Sequence, residues 1–107
     1  MATITFKNIV KDMTTGTDTY YTCPSSTTAI ISGLTVANIH ASSSSTATVY
    51  INDTSGSKDG YFLKSVTMGT GLAITLPNMI LEAGDTVKGT AGANSVFTIT
   101  GGVLERS

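Results

Sequence analysis

Hydrophobic and polar positions alternate along this chain with a period of two. The alternation is broken at intervals of roughly 8 to 12 residues by glycine, proline, asparagine or serine, as in chains of short β-strands. Thr46 to Asn52 shows it most clearly, with Ala47, Val49 and Ile51 on one face and Thr48, Tyr50 and Asn52 on the other. Ile4 to Val10 reads as a first strand, Ile4 and Phe6 facing one way and Thr3, Thr5 and Lys7 the other. A polar run from Met13 to Asp18 interrupts the pattern, which resumes from Asp18 to Cys23 and stops at Pro24, a residue with no N–H for a ladder. Thr27 to Asn38 carries apolar residues on both parities, as a strand partly covered on both faces does. Further strands are predicted at Tyr61 to Met68, Leu72 to Leu76, Met79 to Leu81, Thr86 to Ala91 and Ser95 to about Leu104. Turns are expected at Asp53 to Gly60, with Gly56 and Gly60 supplying positive φ, and at Gly69-Thr70-Gly71, read as a hairpin. Glu82-Ala83-Gly84-Asp85 is a tight turn, and Gly101-Gly102 suggests a bulge or a close backbone approach.

About eight short strands with no helical stretch between them predict an all-β chain, an antiparallel β-sandwich that is jelly-roll-like. The 107 residues allow one domain, with residues 1–16 expected as an N-terminal strand or arm and residues 17–107 as the sandwich. Composition agrees, since Thr, Ser and Gly make up 43 of the 107 residues and Thr packs well on a pleated surface. With 40% hydrophobic residues and a formal charge of −1, the chain lacks the profile of a disordered protein.

The same numbers exclude several functions. Six basic residues, Lys7, Lys11, Lys58, Lys64, Lys88 and Arg106, are scattered and form no stripe to follow a phosphate backbone, so no direct nucleic-acid contact is expected. Cys23 is the single cysteine, which rules out an intrachain disulfide. The first twelve residues carry Lys7 and Lys11 and no apolar core of a signal peptide, and no apolar run is long enough for a membrane helix, so neither secretion nor membrane contact is expected.

Candidate chemistry is thin. His40, the one histidine, stands before the serine cluster Ser42 to Ser45, as a base beside hydroxyls or as a plain loop residue. Ser55-Gly56-Ser57-Lys58 has the S-x-x-K spelling of serine acyl enzymes without their helix or partner motifs, and reads as a turn. Asp53, Asp59, Glu82 and Asp85 would suit a hard cation if two turns converged, but Asp in turns mostly bonds its own backbone. No enzyme, cofactor or metal is expected. Tyr20, Tyr21, Tyr50, Tyr61 and Phe62 divide between core, protein interface and sugar stacking, and the adjacent pairs should point to opposite faces.

The stretch from Tyr20-Tyr21-Thr22-Cys23-Pro24 through Leu34-Thr35-Val36-Ala37-Asn38 resembles the opening block of small β-sandwich virion proteins of tailed bacteriophages. The segments Tyr61 to Val66 and Leu81-Glu82-Ala83-Gly84-Asp85-Thr86-Val87-Lys88 resemble later strands of that family, with its L-x-A-G-D turn. The resemblance implies a virion structural protein assembled in the bacterial host cytoplasm: a capsid decoration or cement protein, or alternatively a neck, tail or fibre accessory, with recognition of a host glycan as one form of that alternative. It implies a homotrimer bound to the major capsid protein or to a tail or neck protein. The expected interface residues are Ile4, Phe6, Ile9, Tyr20, Tyr50 and Tyr61, with the first strand swinging out to a neighbour.

Overall fold

The computed structural model describes residues 3–54 and 57–107. Among the described residues there are nine strands and no helix. These are β1 (Ile4–Asp12), β2 (Asp18–Thr22), β3 (Thr28–Asn38), β4 (Ser45–Asp53), β5 (Lys58–Met68), β6 (Ala73–Thr75), β7 (Met79–Leu81), β8 (Thr86–Ala91) and β9 (Phe97–Arg106). One antiparallel sheet runs β1-β9-β3, with β6 and β7 end to end along the far side of β3; the other runs β2-β8-β4-β5. The interruption between β6 and β7 falls at Pro77-Asn78, where proline cannot donate to a ladder. Counting β6 and β7 as one position, the chain passes repeatedly from one four-wide sheet to the other, which is the strand order of a jelly roll. The expected sandwich is present.

The core lies between the sheets. Ile31, Leu34, Val36, Phe97 and Ile99 enter it from the first sheet and Val49, Met68 and Val87 from the second, all fully buried. One parity slip makes Leu34 part of it. The pairing of β3 with β9 shifts between Ser32 and Thr35, with Gly33 at φ +64°, so Gly33 and Leu34 together oppose Gly101 in a bulge. A Cβ on Gly101 would stand 3.1 Å from the Leu34 Cα. The close approach expected at Gly101 is there, and the bulge belongs to β3.

Several local expectations are corrected. Gly69-Thr70-Gly71 is no hairpin turn: it carries the chain from β5 in one sheet to β6 in the other, and the Gly71 N–H donates to the Asn38 carbonyl at 3.3 Å. Gly60 lies inside β5, and Gly56, with Ser55, lies outside the described residues. Tyr20 and Tyr21 do not divide between faces. A register shift in β2 between Thr19 and Tyr21 breaks the alternation, so Tyr20 joins the core and Tyr21 packs against it.

The N-terminal segment is not a free arm either. β1 pairs with β9 from Ile4↔Arg106 to Asp12↔Thr98, and Thr3 and Ser107 extend the ladder by exchanging both hydrogen bonds at 3.0 Å. Beyond it, Met13 is fully buried and donates to the Phe97 carbonyl, while the Thr14 N–H and hydroxyl both donate to Asp18. Residues 3–16 therefore supply an integral strand and a pinned connection, because β1 covers one side of β9 and lends Ile9 to the core, while the first two residues of the expected arm lie outside the described residues.

Candidate functional site

Register decides which exposed side chains meet. On the outer face of the first sheet it lines up Phe6 of β1, Leu104 of β9, Ile30 of β3 and Ile80 of β7 in one row across four strands. Phe6 is 81% exposed and Ile80 69%, and Ile4 and Val10 extend the apolar surface along β1. On β1 and β9 the charged residues of this parity are Asp12 and Arg106, at opposite ends, with Asn8, Thr98, Thr100 and Gly102 between them. Contiguous exposed apolar rows of this kind are the surfaces by which proteins commonly meet other macromolecules.

The outer face of the second sheet differs. Tyr50 and Tyr61 pair across β4 and β5 with ring centroids 5.1 Å apart and tilted by 41°, and the Lys64 ammonium lies 5.2 Å from the Tyr61 ring centre. A cation held on the ring gives this aromatic pair a solvated cover.

An open pocket of about 410 Å³ lies where the β5 edge meets β7 and the β7–β8 turn, lined in part by Tyr61, Phe62, Ile80, Asp53, Glu82 and Asp85. Two turns do converge here, bringing carboxylate oxygens of Asp53, Glu82 and Asp85 within 4.8 Å of one another. Asp59 stays out of that cluster and accepts a bond from the Asn52 side-chain amide at 2.7 Å. Asp85 is buried, and its oxygens accept the Thr54 N–H at 3.1 Å and the Glu82 N–H at 2.9 Å. Its role is to tie the β4–β5 loop to the β7–β8 turn.

Glu105 links the sheets near the chain ends. Its carboxylate, buried on the inner face of β9, accepts the Tyr21 hydroxyl from β2 and pairs with the Lys7 ammonium of β1 at 3.1 Å. The Tyr21 hydrogen bond, followed by Lys7, holds the Glu105 carboxyl below the usual carboxylate range. Burial, and then Glu105, push the Tyr21 phenol up, so it stays a neutral donor. A depressed carboxyl stabilises the fold fully above its unfolded pKa of about 4.3 and loses that contribution as pH falls through the folded value. Thermal melts should therefore show a midpoint that is level near neutrality and falls below about pH 4.5. Glu105→Gln should lower the neutral midpoint by the equivalent of about 1 kcal/mol, since Lys7 is half exposed, and flatten the acid limb.

Other singled-out residues have structural employment. The His40 Nδ1 accepts the backbone N–H groups of Ser42 and Ser43 at 3.1 and 3.0 Å, which folds the loop. The Cys23 thiol donates to the Thr27 carbonyl at 3.2 Å in a site whose burial raises its pKa. Of the expected interface residues, Ile4, Phe6 and Tyr61 are exposed, and Tyr50 is half-buried against Tyr61. Ile9 and Tyr20 are buried in the core and offer no surface: Ile9 has the parity opposite to Phe6, and the β2 bulge turns Tyr20 inward. Sequence reasoning missed Val10, Ile30, Ile80 and Leu104 as surface residues. Val10 shares the parity of Ile4 and Phe6 and was open to the same argument, whereas the row to Ile80 exists only through the strand order.

No family model matches this chain, and no curated protein matches its sequence. Among solved structures, it is similar to a subunit of Bacillus endospore appendages, described as a novel family of disulfide-linked pili. The TM-score is 0.56 at 13% identity, covering 98% of this chain and 86% of that one. A pentameric capsid protein isolated from metagenomic phage sequences gives a TM-score of 0.48 at 15% identity, covering 90% of this chain and 59% of that one. The virus-like particle of the extra small virus of the prawn Macrobrachium rosenbergii gives 0.46 at 17% identity, covering 98% of this chain and 79% of that one. At 13% identity the likeness to the appendage subunit is one of fold.

Proposed function

We propose that this protein is a structural subunit of a virus particle, a decoration or cement protein that binds the assembled shell of a tailed bacteriophage as a small homo-oligomer and catalyses no reaction. The observation that carries the reading is the exposed row Phe6, Leu104, Ile30 and Ile80 on a jelly-roll sheet with very little charge around it. Jelly rolls serve as viral shells, lectins and cupins alike, so fold alone does not choose among them. The choice rests on the apolar face, the 12% of charged residues against the ~25% of an ordinary soluble domain, and the sequence blocks that resemble phage virion proteins. The partner would be the major capsid protein. A subunit that binds the assembled lattice and not free capsid protein favours the assembled state by mass action.

A second reading places the same sandwich in a neck, tail or fibre, recognising a host glycan. It is favoured by the pocket that sets Tyr61 beside carboxylates, groups that stack on sugar rings and accept their hydroxyls. A pilus subunit is a weaker third, since the chain's single cysteine is buried and not placed to link subunits by a disulfide. Gold-labelled antibody against the purified protein, applied to intact particles, tests the first reading. Label over the whole shell is expected; label confined to the tail overturns the shell site. In a co-sedimentation assay with undecorated shells, Phe6→Glu with Ile80→Glu should weaken binding at least tenfold, and unchanged binding would remove the apolar row from the interface.

A further inference from the structure

The two sheets leave four edges, and three of them are poor templates for another strand. β2 is five residues long and bulged, and the β6–β7 edge is broken at Pro77-Asn78. β5 carries Lys58 and Lys64, shifts register twice against β4, and holds Ser65 at φ +50°. Short strands, bulges, proline and lysine are the devices by which proteins blunt an edge. β1 has neither bulge nor proline nor positive φ across nine residues; of its two lysines Lys7 is drawn to Glu105 and Lys11 stands one residue from its end, and its outer face shows Ile4, Phe6 and Val10 to solvent.

The ladder on the other side of β1 fixes which backbone groups point off that edge. Thr3 and Ser107 exchange both hydrogen bonds and the Met13 N–H donates to Phe97. The register between them is unbroken, so the odd residues of β1 bond to β9. The N–H and C=O of Ile4, Phe6, Asn8, Val10 and Asp12 therefore point away from the sheet and, among the described residues, have no strand beside them. An antiparallel partner must pair its own outward residues with these, which for a second copy restricts the register to steps of two.

The register in which the whole of Ile4–Asp12 overlaps its copy is centred on Asn8. It sets Phe6 opposite Val10 of the other chain, Lys7 opposite Ile9, and Thr5 opposite Lys11. A slip of two residues one way opposes Lys7 to Lys7, and two the other way opposes Lys7 to Lys11, like charges directly across a ladder. The full-length register thus also avoids charge conflict, and β1 is self-complementary about Asn8.

We propose that two copies of this chain associate by antiparallel pairing of β1 with β1 about a two-fold axis at Asn8, joining their first sheets into one continuous sheet. Such an isologous contact closes on itself, and it sets Phe6, where the apolar row ends, against Val10 of the second subunit. It does not depend on which particle the protein belongs to, and it makes the two-fold pair, not the expected trimer, the elementary oligomer.

Sedimentation equilibrium of the purified chain tests this. A dimer, twice the 11.0 kDa of the chain, is expected at micromolar concentration; a monomer or a trimer overturns the proposal. Asn8→Pro removes an N–H that points off the edge and leaves every bond to β9 intact, so it should give a folded monomer with a nearly unchanged melt. If that variant stays dimeric, the β1 contact is wrong. The register has its own readout. Mixed Phe6→Cys and Val10→Cys chains should form a disulfide-linked heterodimer on mild oxidation, whereas either alone should not. Equal cross-linking of the single variants would refute the pairing about Asn8, and it needs no loss of fold to be read.

Discussion

Phe97→Ala is expected to lower stability by about 3–5 kcal/mol, the cost of deleting a large buried ring that its surroundings do not collapse to fill. Phe97 is fully buried where β9 begins, pairs with Asn38 of β3, and offers its carbonyl to the Met13 N–H from the β1–β2 connection. A domain of this size has about 5–15 kcal/mol of net stability, so the loss takes a third or more of it. Thermal unfolding should shift down by roughly 15–30 °C. A shift under 5 °C would mean that the two sheets close over the vacancy, and that Phe97 is not a keystone of their packing.

Gly89→Ala is the second large effect, and its sign comes from too much matter where Phe97→Ala leaves too little. Gly89 lies in β8 between β2 and β4, and a Cβ there would stand 2.4 Å from the Thr48 carbonyl oxygen and 2.9 Å from the Tyr20 ring. The first neighbour is backbone and cannot step aside, and the second is a buried ring whose phenol burial has pushed well above its usual range. Overpacking of this kind costs about 1–3 kcal/mol, and here the upper end is expected because β4 itself must shift. Gly60→Ala is the matched control, since a Cβ at Gly60 in β5 meets nothing within 4 Å. It should be neutral or stabilising by up to about 1 kcal/mol through the unfolded chain. Urea midpoints of the two variants that coincide would show that the close approach at Gly89 is not what the position requires.

Much of the strand pattern was legible because alternation is local. Ala47, Val49 and Ile51 of β4 announce their faces without knowing what lies above them, and the order of strands and turns follows the apolar runs with few displacements. What alternation does not carry is a slip of one residue. The shift at Thr19/Tyr21 sends Tyr20 inward and the shift at Ser32/Thr35 brings Leu34 into the core, and each depends on a partner strand remote in sequence. The turn at Gly69–Gly71 was misread for a related reason: a tight turn looks the same whether it returns the chain to its own sheet or passes it to the facing one.

The candidate site divides in the same way. Composition alone established an all-β chain with too little charge for an ordinary soluble surface, because β-propensity and solvation are properties of residue types. Alternation marked Ile4 and Phe6 as one face of a first strand. Only the tertiary structure decided that this strand is an edge docked on β9 and that its outward residues continue through Leu104 and Ile30 to Ile80. The physical reason is that a sheet is built by hydrogen bonds between strands far apart in the chain. Register, edge and outer face are therefore properties of pairs of strands, and no single segment encodes them.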